Sequence, residues 1–301
     1  MRLLKITITG GSGFIGTYLS ESLKKHHEIK IIDVNPPKIK DVEFERCDLS
    51  ADTQISELIR GSEIVIHLAA AVGVKITEED PIKTLDLNIL GTKKILDACK
   101  ENKIEKIIFS SSSEIYGEPH KIPISENESP MPITNYGVSK VTGEEYVKAY
   151  SKKYDFKYSI LRFFNAYGSK QSKSFVIPEF VNNAILDKPI IIHGSGKQIR
   201  AFCHIEDIVK GIELSFKKGN NNLFNIGNNS EPISIFELAK KIILLTESKS
   251  EIKFVPFEDS NRQRSREIIN RIPDITKARE ILGFEPSISL NEGIKSFLSG
   301  N

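Results

Sequence analysis

Tyr136-Gly-Val-Ser-Lys140 sets a phenol and an ammonium four residues apart at the start of a helical segment. That spacing puts both side chains on one helix face. An ammonium beside a phenol favours the phenolate, drawing the tyrosine from its unperturbed pKa of ~10 towards working pH. The pair is therefore a candidate general base with its partner, although an ordinary solvated helix face carries the same residues. A second stretch, FSSSSEIYGEP at 109–119, offers four hydroxyls and a carboxylate directly after the apolar Ile107 and Ile108. It is too short for a linker, so its polar groups need either a structural or a chemical explanation.

A third stretch gives the pair its context. An apolar run from Leu3 ends in Gly10-Gly11-Ser12-Gly13-Phe14-Ile15-Gly16. A strand entering a glycine-rich turn that opens a helix lets backbone N–H groups approach a pyrophosphate, and the helix N-terminus supplies a favourable dipole. Asp33 ends the next apolar run, where a carboxylate can accept hydrogen bonds from the adenosine ribose hydroxyls. It would repel a 2′-phosphate, and Val34-Asn35 brings no arginine, so NAD is expected rather than NADP. With such a turn upstream, the Tyr136/Lys140 spacing becomes a specific signal, and the positive nicotinamide ring would further favour the phenolate.

The elements that must position these residues alternate. Leu4–Thr9, Ile29–Ile32, Ile64–Leu68, Ile107–Phe109 and Tyr158–Leu161 read as buried strands, with helices expected near 14–25, 51–60, 82–101 and 136–153. That rhythm implies an α/β protein whose parallel sheet carries helices on both faces, a Rossmann-type doubly wound fold. After about residue 165, prolines 178, 189, 232, 256, 273 and 286 punctuate shorter elements, so a smaller C-terminal α/β region is expected. The division is a cofactor domain over 1–165, with a returning segment near 199–225, and a substrate domain over mainly 166–301. Ser234-Ile-Phe-Glu237 reads as a capping box before an apolar helix, and Leu223–Ile226 as a strand between asparagine turns.

Composition closes off other classes. The net charge of +2, with Lys and Arg spread along 301 residues, gives no mandate for nucleic acid. Cys47, Cys99 and Cys203 are odd in number and far apart, which argues against a disulfide framework or a zinc site and fits a reducing cytoplasm. No metal site is expected: His67 and His204 lack ligand spacing and read as core or loop residues. No apolar run reaches the ~20 residues that span a bilayer, so no membrane partner is expected.

These motifs together resemble the extended short-chain dehydrogenase/reductases of the NAD-dependent nucleotide-sugar epimerase/dehydratase family, the UDP-glucose 4-epimerases in particular. TGGSGFIG, Asp33, CDL at 47–49, HLAA at 67–70, NxxGT at 88–92, SSSSEIYGEP, YGVSK, RFFNAYG at 162–168 and QIRAFCHIEDI at 198–208 carry the likeness over nearly the whole chain. The resemblance implies that Gly10, Gly13 and Gly16, with Phe14 and Ile15, hold the NAD pyrophosphate. On the same basis Asp33 binds the adenosine ribose, Asp48 and Leu49 contact adenine, and Leu68, Ala69, Ala70 and Ser110 line the cofactor cleft beside Ser111. Asn88 is structural or cofactor-side. Tyr136 is the general base, and Lys140 its partner on the nicotinamide ribose. Ser112 is the catalytic hydroxyl that relays the proton of the sugar 4-OH. Asn165 and Arg200 hold the substrate diphosphate, with Arg264 preferred to Arg262 and Arg266 as a further phosphate contact.

The resemblance also marks a fork. Ser113, at a substrate-binding position, stands where 4,6-dehydratases carry an aspartate, which removes their clearest signature. Ser113-Glu114 matches decarboxylases acting on UDP-glucuronate, and Arg200-Ala-Phe-Cys resembles their Arg-Ser-Phe-Cys; Val141, however, stands where they tend to have arginine. Val72 stands where galactose epimerases have lysine. Glu114 is either a base or a buttress of its loop. The expected function is C4 epimerisation of a nucleotide sugar, a UDP-sugar foremost, through a transient 4-keto intermediate. The alternatives are a decarboxylase or 4,6-dehydratase with Glu114 as base and, more remotely, a non-catalytic NAD-binding sensor. Surplus apolar residues on the helices at 82–101 and 136–153 match those that pair in the family's homodimers.

Overall fold

The structure is a computed structural model and describes residues 2–52, 54–73, 77, 79–256 and 268–298. Its centre is a seven-stranded parallel sheet. Strands β1 (Lys5–Thr9), β2 (Glu28–Asp33), β3 (Glu43–Arg46), β4 (Ile64–His67), β5 (Lys106–Ser112) and β6 (Lys157–Phe163) lie in the order β3-β2-β1-β4-β5-β6. The chain leaves the sheet after β6 and returns to add a last edge strand, Asn222–Ile226, parallel to β6. The strand order reverses between β1 and β4, which pair through Ile6↔Ile64 and Thr9↔His67. Open parallel sheets bind their ligands at such a reversal, beyond the strands' carboxyl ends.

Both faces of the sheet are covered, which is why its strands read as near-continuous aliphatic runs. On one face Ile6, Ile8, Ile31, Ile66 and Ile108 pack beneath α1 (Phe14–Leu23) and the helix Ile205–Leu214. On the other, Val65, Ile107, Phe109 and Ile160 meet Ile95, Leu96 and Cys99 of the helix Gly91–Glu101 and Val147 of the long helix Asn135–Tyr154. A third core, with Phe180, Ile190, Ile192, Leu238 and Ile242, lies among the C-terminal elements.

Three local expectations change. The helix expected over 51–60 is only Ile55–Leu58, because Asp48 and Asp52 fold the preceding segment into a turn. The helix expected over 82–101 is two helices, Pro81–Leu85 and Gly91–Glu101, joined by a π-helical turn over Asp86–Leu90. The capping box at Ser234 is half formed: Ser234 Oγ accepts from Glu237 N, while the Glu237 carboxylate accepts from Lys240. Among the described residues no helix is long and apolar enough to cross a membrane.

Candidate active site

The glycine turn sits at the reversal. Gly10 has φ +72° and lies so close to the chain after β4 that a Cβ there would come within 2.6 Å of Ala69 N. A Cβ at Gly16 would come within 2.4 Å of the Gly10 carbonyl, so α1 packs tightly onto the turn. Gly13 caps α1 without a side chain, and no acid occupies the first turn. Phe14 and Ile15 open the helix, whose first N–H groups have no intrahelical partner. An uncapped N-terminus framed by glycines fits a pyrophosphate. Asp33 lies next to it, accepting from Ser12 N (3.1 Å) and Asn35 N (3.0 Å). A carboxylate has about four lone-pair sites, so capacity for ribose hydroxyls remains.

The far wall is the segment after β4. Leu68 N donates to Thr9 O, and Leu68, Ala69 and Ala70 run alongside the glycine turn, each partly exposed. Asn88, from the π-helical turn, holds this wall: its Oδ1 accepts from Ala71 N (2.8 Å) and its Nδ2 donates to Ala71 O and Ser139 Oγ. Asn88 is thus a structural clamp between the wall and the tyrosine helix. The Asp48 carboxylate accepts from both the N–H and hydroxyl of Ser50, which hold it below the usual range. Leu49 is buried among the core residues beside Gly91.

The serine run separates residue by residue. β5 is longer than expected and carries Ser110–Ser112 at its carboxyl end. Ser110 Oγ donates to the His67 carbonyl, and its own carbonyl accepts from Lys140 Nζ at 2.8 Å. Ser111 lies at the strand end as expected, with its hydroxyl turned to the interior, 2.5 Å from Glu144 Oε1. Ser112 accepts from Glu114 N, and its hydroxyl is the group that favours the ionised Tyr136 phenol. Ser113 is buried in the 3-10 turn Ser113–Tyr116.

The tyrosine helix begins at Thr134, whose hydroxyl accepts from Gly137 N and donates to Glu114 Oε2 at 3.0 Å. One threonine therefore ties Glu114 to the cap of the helix bearing Tyr136 and Lys140. Tyr136 is not drawn down as the spacing suggests. Burial pushes its pKa above 10, the Glu114 charge adds to this, and only the Ser112 hydrogen bond opposes it. Burial also lowers Lys140, to about 7, against the opposing effect of Glu144. The Lys140 ammonium stands 5.6 Å from the Tyr136 ring centroid and 5.1 Å from that of Phe109. His67 is a core residue between Thr9 and Thr92 hydroxyls, its pKa lowered to about 3 by burial and by Lys140.

Across the cleft stand the C-terminal residues. Asn165, at φ +39°, donates to Ala201 O, and Arg200 donates to the Ile199 and Ile269 carbonyls. Arg264 lies outside the described residues. Arg271, which the sequence reading passed over, is in register with Arg200 on paired parallel strands. Its Nε is buried without a hydrogen-bond partner, and the charges acting on it are those of Glu114 and Glu118. No local pattern marks it, because its place depends on strand pairing between distant segments.

Residues 6–227 match the model of the NAD dependent epimerase/dehydratase family. A putative UDP-glucose 4-epimerase of Methanocaldococcus jannaschii is 36% identical, covering 96% of each chain. A UDP-N-acetyl-alpha-D-glucosaminuronate decarboxylase of Bacillus cytotoxicus is 35% identical, over 96% of this chain and 94% of that one. Among solved structures, the UDP-glucose 4-epimerase of Thermotoga maritima with UDP-glucose superposes with a TM-score of 0.91 at 29% identity, over 98% of both chains. A glycine cradle at the sheet reversal, a Ser112–Tyr136–Lys140 cluster beside it and a match over most of the chain place this protein in the NAD dependent epimerase/dehydratase family, with NAD as its cofactor.

Proposed function

We propose that the chain interconverts a UDP-sugar and its C4 epimer. The observation that carries this reading is the grouping of Ser112, Tyr136 and Lys140 at the carboxyl end of β5, next to the glycine cradle. Bound NAD would supply reversible hydride transfer at C4 of the sugar. Gly10, Gly13 and Gly16 admit its pyrophosphate, and Asp33 accepts from the adenosine ribose.

Tyr136 takes the proton of the sugar 4-hydroxyl, relayed by the Ser112 hydroxyl. The phenolate forms against burial and against Glu114, so its stabilisation must come from Lys140 and from the positive charge of the oxidised nicotinamide. Asn165 and Arg200 would hold the diphosphate while the 4-keto sugar turns over to present its other face, and Tyr136 gives the proton back to the 4-oxygen. Residues 166–301 supply most of this sugar-nucleotide wall. The homodimer expected of the family is proposed through the faces bearing exposed Ile82, Leu90 and Val138. Three buried free thiols support a cytoplasmic setting.

A second reading is favoured by Arg271. Its guanidinium, on which the Glu114 charge acts, would provide a cationic partner for a sugar carboxylate, and one relative is a uronate decarboxylase by name. Product NMR separates the two readings. UDP-glucose and UDP-glucuronate, each incubated with the protein and NAD, should give the 4-epimer with unchanged carbon count. A pentose with carbon dioxide release would replace epimerisation by decarboxylation, and unaltered sugars across the wider UDP-sugar series would remove both.

A further inference from the structure

Glu144 lies two turns beyond Tyr136 and one beyond Lys140 on the helix Asn135–Tyr154. It is 1% exposed. Its Oε1 accepts from Ser111 Oγ (2.5 Å) and Arg162 Nε (2.9 Å), and its Oε2 from Arg162 Nη2 (2.7 Å). The arginine is fixed in turn, its Nη1 donating to Tyr116 OH, which donates to Asn225 Oδ1. The pair is thus bidentate, with a further lone pair of the carboxylate taken by Ser111. Gly143 presses the same helix turn onto β5, since a Cβ there would lie 2.5 Å from the Phe109 ring.

Among the described residues Lys140 has few other electrostatic partners. From β5 it meets the Ser110 carbonyl and the Phe109 ring, from β4 the neutral His67, and from its own helix the Tyr136 ring and Glu144. Arg162, on β6, stands behind Glu144 and is bonded to it. Among the described residues the anionic group acting on the lysine is therefore Glu144, one helical turn away, and the bond from Ser111 ties that same carboxylate to the strand end between Ser110 and Ser112. We propose that Glu144 is a positioning residue: bonded to Ser111 on β5 and to Arg162, and one helical turn from Lys140, it sets the register of the tyrosine helix on β5 and acts through its charge on the ammonium that helix carries. This rests on the reading of Tyr136 and Lys140 as the catalytic pair.

The test reads Lys140 directly, without turnover. In NAD-bound protein with lysine labelled with carbon-13 at Cε, the Lys140 signal is assigned by its loss in Lys140→Met. In Glu144→Gln its titration midpoint should fall by about a unit or more, a roughly tenfold drop in the ratio of charged to neutral lysine at a given pH. Because Glu144→Gln strands a buried guanidinium, the double change Glu144→Met/Arg162→Met, which removes both charges, is titrated alongside. It should also lower the midpoint, but less, since the lost arginine partly compensates. An unchanged midpoint in a folded variant overturns the proposal, and so does loss of the fold in both, which would make the pair purely architectural. If the midpoint shifts while neither wild type nor variant turns over any UDP-sugar, the functional reading fails and the coupling stands.

Discussion

Two lysines stand at opposite ends of β5, both 4% exposed. At the amino end Lys106 donates to the carbonyls of Ser215 and Lys218 and to Asn220 Oδ1, the first of these closing the C-terminus of the helix Ile205–Leu214. At the carboxyl end Lys140 donates to the Ser110 carbonyl and otherwise sits over the rings of Phe109 and Tyr136. An ammonium has three donors. Lys106 directs all of its own at oxygens, and its charge complements the helix dipole. Lys140 is left with donors and charge for what enters the cleft. Equal burial thus yields a structural clamp at one end of the strand and a poised group at the other, and saturation by protein oxygens decides which.

The contrast breaks most visibly in paired variants. Lys140→Met should cut kcat on the epimerisable UDP-sugar by ~10²–10⁴-fold, the usual range for a group that supports acid–base chemistry. At pH 7 or below its urea unfolding midpoint should not fall below that of wild type, since the change removes a buried charge. Lys106→Met should do the reverse. Leaving buried carbonyls without a donor costs about 1–3 kcal/mol in urea unfolding, while turnover per folded molecule stays within about twofold. Comparable loss of turnover in both would show that the two ends are not functionally distinct.

The same contrast explains what could be read from residues alone. β1, β4, β5 and β6 were legible because burial on both faces leaves uninterrupted aliphatic runs. The edge strand Glu43–Arg46 was not, since exposure lets Glu43, Glu45 and Arg46 replace them. The Tyr136/Lys140 spacing and the glycine turn were legible because helix and turn geometry are local. The direction of the Tyr136 pKa was not, because its chief cause is burial by distant segments. Glu144 and Arg271 escaped for a related reason: each acquires its setting from a partner on another strand, Arg162 in one case and the Arg200 register in the other. The complete capping box, at Ser289 and Glu292, lies outside any long periodic run that would have drawn notice.

Titration supplies the smallest and sharpest comparison. Burial lowers Lys140 to about 7 and Lys106 to about 8, whereas an unfolded chain holds its lysines charged to about pH 10.4. Between the folded and unfolded values the unfolded chain binds more protons, so stability rises with pH, by at most ~1.4 kcal/mol per unit for each lysine. Below the folded value both states carry the proton, and the contribution is flat. In urea unfolding from pH 6 to 9.5, wild type should gain on Lys140→Met once pH passes about 7, and on Lys106→Met only beyond about 8. A difference that stays level across this range would show that neither native ammonium is perturbed. A common onset would show that oxygen donors and aromatic faces hold the two charges equally well, and the distinction between the two ends of β5 would then rest on position alone.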